Sequence, residues 1–161
     1  MSLRDIGNIV PSYSTYGIWG QPGYNKGMND SIFTKIINGD IPAHRIYEDD
    51  RVIVFLDINP VTEGHTLVIP KQQVDHLWDL DDETYHYLME VTKKVALRIR
   101  EVLNPPRVAQ AVDGFEVAHA HIHLFPAYKG LNKTIVEHAA KDHIEPDHSA
   151  LAAVADKLRF S

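Results

Sequence analysis

Three histidines within five residues, His119, His121 and His123, are the part of this sequence best equipped for chemistry. They alternate with Ala120 and Ile122 and run on into Leu124, Phe125 and Pro126. On a β-strand, residues two apart share a face. The spacing therefore puts three imidazoles on one side and an apolar row on the other. Polar rings are costly to bury without partners, so such a row needs a purpose, and three purposes compete. A solvated polar face asks for nothing more. A metal site would use imidazole as a zinc ligand, but roughly 13 Å of strand separates the outer two rings. Only two neighbours could then reach one ion, with a third ligand such as His65 brought from elsewhere. The third purpose is a nucleophilic imidazole flanked by two helpers. Histidine forms covalent intermediates, and phosphorus is a natural electrophile for it. Adjacent rings can set its tautomer, stabilise charge or protonate a leaving group. We favour this last reading.

The elements that must position these rings can be read on either side of them. Asp30 or Ser31 caps a short helix through Ile32, Phe33, Ile36 and Ile37, which Asn38-Gly39 ends. Pro42 forces an extended exit. Residues 43–48 and 51–57 read as strands around Asp49-Asp50, and residues 65–69 as a third strand stopped by Pro70. The short segment 74–80 leads to Asp81-Asp82, which opens the clearest helix of the chain. Leu88, Val91, Val95, Ile99 and Val102 form its apolar stripe, and Asn104-Pro105-Pro106 stops it. Strands over residues 107–112 and 117–125 follow, then a polar loop with His138, His143 and His148, then a helix over residues 150–158. Hairpin-length links favour an antiparallel sheet with helices on one face, an α+β class. Residues 1–27, with five of the nine glycines and no helical or strand period, read as an arm without a role in chemistry. The domain then spans residues 28–128, followed by a C-terminal loop and helix over 129–161.

Composition narrows the function classes. The chain has 161 residues, a formal net charge of −6 and no cysteine. An acidic chain is a poor partner for nucleic-acid phosphates. Without cysteine there are no disulfides, thiolate zinc sites or thiol nucleophiles. No apolar run approaches the 18 or so residues of a membrane span. The expectation is a cytoplasmic protein that binds neither nucleic acid nor membrane and needs no cofactor or metal.

The residues His119-Ala-His121-Ile-His123-Leu-Phe125 match the pattern of alternating histidines and apolar residues of the histidine triad (HIT) superfamily, and the sequence resembles that family more widely. Residues 31–43 resemble its N-terminal helix, Tyr47 to Pro60 its first hairpin, and Gly64 to Lys71 the next strand. The resemblance covers about 100 residues, from Asp30 to Tyr128. It implies an α+β fold of five antiparallel strands with one long helix, the sheet continuing across a homodimer. It also implies a purine nucleotide substrate cleaved at the α-phosphate. Carried over position by position, His121 is the nucleophile, His123 lies near the leaving group, His119 supports the nucleophile and His65 backs the triad. Asp57 would hold the ribose hydroxyls. Phe55, Ile58, Ile32, Phe33 and Ile36 would form the purine pocket, and the backbone at Gly114 would face the phosphate.

Three departures from the family pattern stand out. Many bacterial members carry Cys-x-x-Cys at the first helix and a histidine after Pro-Lys, and here those places read Ser31, Thr34 and Gln73. The structural zinc of those members is therefore not expected. Phe115 replaces a glutamine whose amide reaches the phosphate in the family. Glu116 would repel substrate, so it is expected to point away or to pair with Lys71 or Arg107. Phe115 and Glu116 also favour a rival function, a nucleotide-binding or scaffold protein with little turnover.

Overall fold

The computed structural model describes residues 29–129 and 146–161. The expected arm 1–27, His138 and His143 lie outside the described residues. Strands β1 (Arg45–Glu48), β2 (Val52–Leu56), β3 (Thr66–Pro70), β4 (Arg107–Ala111) and β5 (Ile122–Ala127) form one sheet in the order β1-β2-β3-β5-β4. Every pairing is antiparallel. The first three strands meander. Helix α2 (Asp82–Leu103) then carries the chain past the free side of β3 to the far edge, and β5 returns to fill the gap.

Strand β2 is buried along its whole length, and its side chains alternate between two cores. Val52, Val54 and Leu56 face the larger core, with Val68, Ile122 and Leu124, beneath Leu88, Val91, Val95 and Ile99 of α2. Helix α3 (His148–Leu158) adds Leu151, Val154 and Leu158 to the same layer. Ile53 and Phe55 face the other way and meet Leu67, Ile69 and, from helix α1 (Ile32–Asn38), Phe33 and Ile36. The helices thus cover both faces, not one as expected. A fully apolar central strand needs a cover on each side, each large side chain removed from water contributing about 1.5–3 kcal/mol.

Several local bonds hold this frame. Asp49 closes the β1–β2 turn by accepting the Arg51 and Val52 amides at 2.8 and 2.7 Å. Its other oxygen takes the Tyr47 and Tyr87 hydroxyls at 2.6 and 2.7 Å, tying α2 to the hairpin. Burial opposes its charge, but these donors hold its pKa down to about 2. Asp81 caps α2 and Asp147 caps α3. The Asp147 cap starts α3 at His148, two residues before the expected start, and His148 pairs with His44 across 3.0 Å. Pro126 interrupts no ladder to β3, because that pairing ends at Leu124.

Candidate active site

The expected strand over residues 117–125 begins only at Ile122. Before it the chain bends: the His119 amide donates to the Val117 carbonyl at 2.8 Å and the Ala120 amide to Val74 at 2.6 Å. His119 therefore does not share a strand face by alternation with His121 and His123. All the same, Phe33 gathers it to the same side, with ring centroids 5.8 Å from His119 and 5.0 Å from His121. His121 and His123 lie 4.7 Å apart, and His65, at the entry to β3, lies 5.2 Å from His123. All four histidines are buried.

Backbone partners fix where each ring carries its proton, since an amide can only donate and a carbonyl only accept. His121 Nδ1 lies 2.7 Å from the His119 carbonyl, so it donates, which leaves Nε2 with a bare lone pair. His119 Nε2 donates to the Pro70 carbonyl at 2.8 Å, so its Nδ1 accepts the Ser31 hydroxyl at 2.8 Å. The Val61 amide donates to His65 Nδ1 at 3.2 Å. His65 Nε2 then donates to His123 Nδ1 at 3.0 Å. His123 in turn carries its proton on Nε2, a buried atom with no protein partner. A bare nitrogen on His121 thus stands beside an unused N–H on His123. Such a pair, one nitrogen able to attack and an N–H able to bond a leaving group, is chemically suited to nucleophilic displacement.

Burial pushes the pKa of all three triad rings below the usual 6.5. His123 is furthest displaced, to about 4, because burial and then the neighbouring His121 outweigh the attraction of Asp113. For His121, burial outweighs the His119 carbonyl and Asp113. The rings are neutral at pH 7, the state a nucleophilic nitrogen requires.

The other expected site residues divide into two groups. Phe33, Phe55 and Ile36 are buried in the smaller core, with the Phe33 ring edge-on to Phe55 at 5.8 Å. Ile32 and Ile58 are 47% and 42% exposed and can still receive a ligand. Asp57 follows β2, where one oxygen accepts the Asn59 amide at 2.8 Å and the other lies 3.7 Å from His65 Nδ1. Gly114 has φ +73 with open space where a Cβ would stand, so the need there is conformational and not steric. Phe115 is 89% exposed. Glu116 is exposed and pairs with neither expected cation. Lys71 bonds Glu48 at 2.8 Å and Arg107 donates to the Pro106 carbonyl at 2.8 Å.

A model of the HIT domain matches residues 38–130. The chain belongs to the HIT family. The Protein hit of Bacillus subtilis is 40% identical over 138 residues, covering 81% of this chain and 95% of its own. Among solved structures, a HIT-like protein of Bartonella henselae superposes with a TM-score of 0.71 at 32% identity, covering 82% of this chain and 96% of its own. A hypothetical histidine triad nucleotide-binding protein of Sulfolobus tokodaii gives 0.67 at 27%, covering 79% and 88%. The HIT fold, with its five-stranded antiparallel sheet, is shared with these structures.

A structural zinc does not fit this HIT protein. The three positions that hold thiolates and imidazole in zinc-bearing members present two hydroxyls and an amide here, and zinc selects sulfur and nitrogen donors. Instead Ser31, Thr34 and Gln73 bond to one another and, through Ser31, to His119. That network escaped the sequence reading, which treated these residues only as missing ligands. The polar character of all three was the available signal. Among the described residues, Asp57, His65 and His123 form a second group, with ligand atoms within 4.8 Å of one another. The proton linking His65 to His123 occupies that space, so a cation there would have to displace it.

Proposed function

We propose that this HIT protein is a cytoplasmic homodimer that binds a purine nucleotide and cleaves a bond at its α-phosphate through a nucleotidyl-His121 intermediate. The observation that carries the reading is the bare Nε2 of His121 next to the unpartnered N–H of His123. Ile32 and Ile58 flank the base, over a floor of Phe33, Phe55 and Ile36. Asp57 takes the ribose hydroxyls, and the backbone at Gly114 meets the phosphate.

The α-phosphate is anionic and attracts a proton, so one proton enters with the substrate. The hydrogen-bonded His65–His123 pair shares it and can then give up the His123 Nε2 hydrogen without becoming an anion. His121 Nε2 attacks phosphorus while the bond to the leaving group breaks. For a phosphoramidate, the departing amine takes the Nε2 proton of His123. Water then attacks the same phosphorus, the P–N bond to His121 breaks, and the water proton returns to His123. The products are a nucleoside monophosphate and the free amine. The His121 Nδ1–H keeps donating to the His119 carbonyl throughout, which spreads the positive charge of the intermediate.

Support for the dimer comes from the sheet edge. Strand β4 pairs only with β5 among the described residues, and beside it Leu97 and Val112 are 48% and 39% exposed. Leu97, with Ala96, Arg100, Pro106 and Val108, borders a shallow groove of about 580 Å³, suited to a second copy.

Rapid mixing with adenosine 5′-phosphoramidate, quenched in alkali, tests the chemistry. The nucleotide is expected on the peptide containing His121, and His121→Ala is expected to lose turnover by about a thousandfold or more while still binding nucleotide. A label on His119 or His123 overturns the assignment. The rival reading, nucleotide binding with little turnover, has one observation in its favour. Phe115 and Glu116 point into solvent at the loop where family members supply an amide to the phosphate. Tight binding without turnover decides for it.

A further inference from the structure

We propose that Ser31, held in place by Thr34 and Gln73, is a positioning residue whose hydroxyl keeps the His119 proton on Nε2 and, through the His119 carbonyl, keeps His121 Nε2 bare. The inference rests on the nucleophilic role proposed above for His121.

The direction of every bond in this network follows from its ends. The Gln73 amide is oriented by two backbone groups: its oxygen accepts the Ser31 amide at 3.1 Å, and its nitrogen donates to the Asn29 carbonyl at 3.2 Å. That oxygen can only accept, so the Thr34 hydroxyl donates to it at 2.5 Å. Thr34 has then used its one proton. Ser31 Oγ accepts the Thr34 amide at 3.0 Å, and its own proton goes to His119 Nδ1 at 2.8 Å, which needs a donor, rather than to the Thr34 hydroxyl at 3.2 Å. The opposite ring nitrogen is committed to the Pro70 carbonyl at 2.8 Å. His119 is thus clamped between a donor and an acceptor, in one tautomer and one orientation, with no surface exposed. Its backbone carbonyl is the group that holds the His121 proton at 2.7 Å. A loosened His119 ring therefore shifts the acceptor on which the His121 tautomer depends. In a buried site the loss of such orientation appears in the chemical step more than in binding.

Ser31 also caps α1, and the two roles separate by choice of substituent. Aspartate caps a helix as well as serine does, but its carboxylate only accepts and therefore demands a proton on His119 Nδ1. Ring ¹⁵N chemical shifts, read for His119 and His121 in the wild type and in Ser31→Asp, report the protons directly. The wild type is expected to carry them on His119 Nε2 and His121 Nδ1. Ser31→Asp is expected to keep the thermal midpoint and to place a proton on His119 Nδ1. On phosphoramidate, Ser31→Asp and Ser31→Ala are expected to lower kcat about tenfold or more with KM within about threefold, while Ser31→Thr retains the rate. Wild-type His119 protonated on Nδ1 overturns the proposal. So does Ser31→Ala with lowered stability and wild-type kcat, which would make Ser31 a helix cap alone. If the wild type turns over no phosphoramidate, the proposed function fails while the ring shifts still decide this point.

Discussion

Mild acid should unfold this protein more readily, and His123 sets most of the effect. An unfolded histidine takes up its proton near pH 6.5, whereas burial and His121 hold the folded ring near 4. The unfolded state binds more protons between these values. The stability is therefore fully present above pH 6.5 and is lost as pH falls toward 4. By pH 5 the loss from His123 alone is about 2 kcal/mol, approaching about 3 kcal/mol once the folded ring titrates, a large part of the 5–15 kcal/mol typical of a domain. His119 and His121, displaced in the same direction by burial, add to it. Asp49, held near 2, contributes only at lower pH. The overall charge works in the opposite sense, because a chain at −6 repels itself less as it is acidified. Urea midpoints at pH 7.5 and 5 measure the difference, with His123→Asn, which cannot titrate, as the control. The wild type should drop and the variant should drop much less. A midpoint unchanged or rising on acidification, or a variant that falls as steeply, would refute the reasoning.

Two further outcomes follow from the site and the sheet edge. Asp57→Asn is expected to weaken binding of a ribonucleotide by about 1–3 kcal/mol in calorimetry, the worth of hydrogen bonds to a charged acceptor; a 2′,3′-dideoxy nucleotide should scarcely register the change, and equal losses would remove Asp57 from the ribose. Leu97→Glu, placing a charge in the groove beside β4, is expected to shift the protein from dimer to monomer in sedimentation, and an unmoved mass would place the interface elsewhere.

The sequence showed this fold best where one face decided the matter. The α2 stripe and the apolar run of β2 are visible because burial imposes a period, or the absence of one, that composition alone displays. The family motif located three of the histidines that the structure brings together, and the wider resemblance located the fourth, His65. Local competition hid the rest. Alternation continued through His119 in the sequence, yet two backbone bonds, to Val117 and from Ala120 to Val74, bend the chain there. Placing α1 on the opposite face required knowing that β2 is covered twice. The tautomers could not be read at all, because they depend on Pro70, Val61 and the His119 carbonyl, backbone groups that carry no sequence signal.

The replacement of metal ligands around His119 by Ser31, Thr34 and Gln73 also changes what the protein depends on in its surroundings. A thiolate-held ion must be acquired, can be exchanged for a more avid metal, and is released when its sulfurs oxidise. Hydroxyls and an amide have no redox chemistry under such conditions and need no ion. With no cysteine anywhere in the chain, the clamp on the triad forms from the polypeptide alone. It should come through oxidative stress or zinc starvation unaltered, conditions that would dismantle a thiolate–zinc version of the same corner.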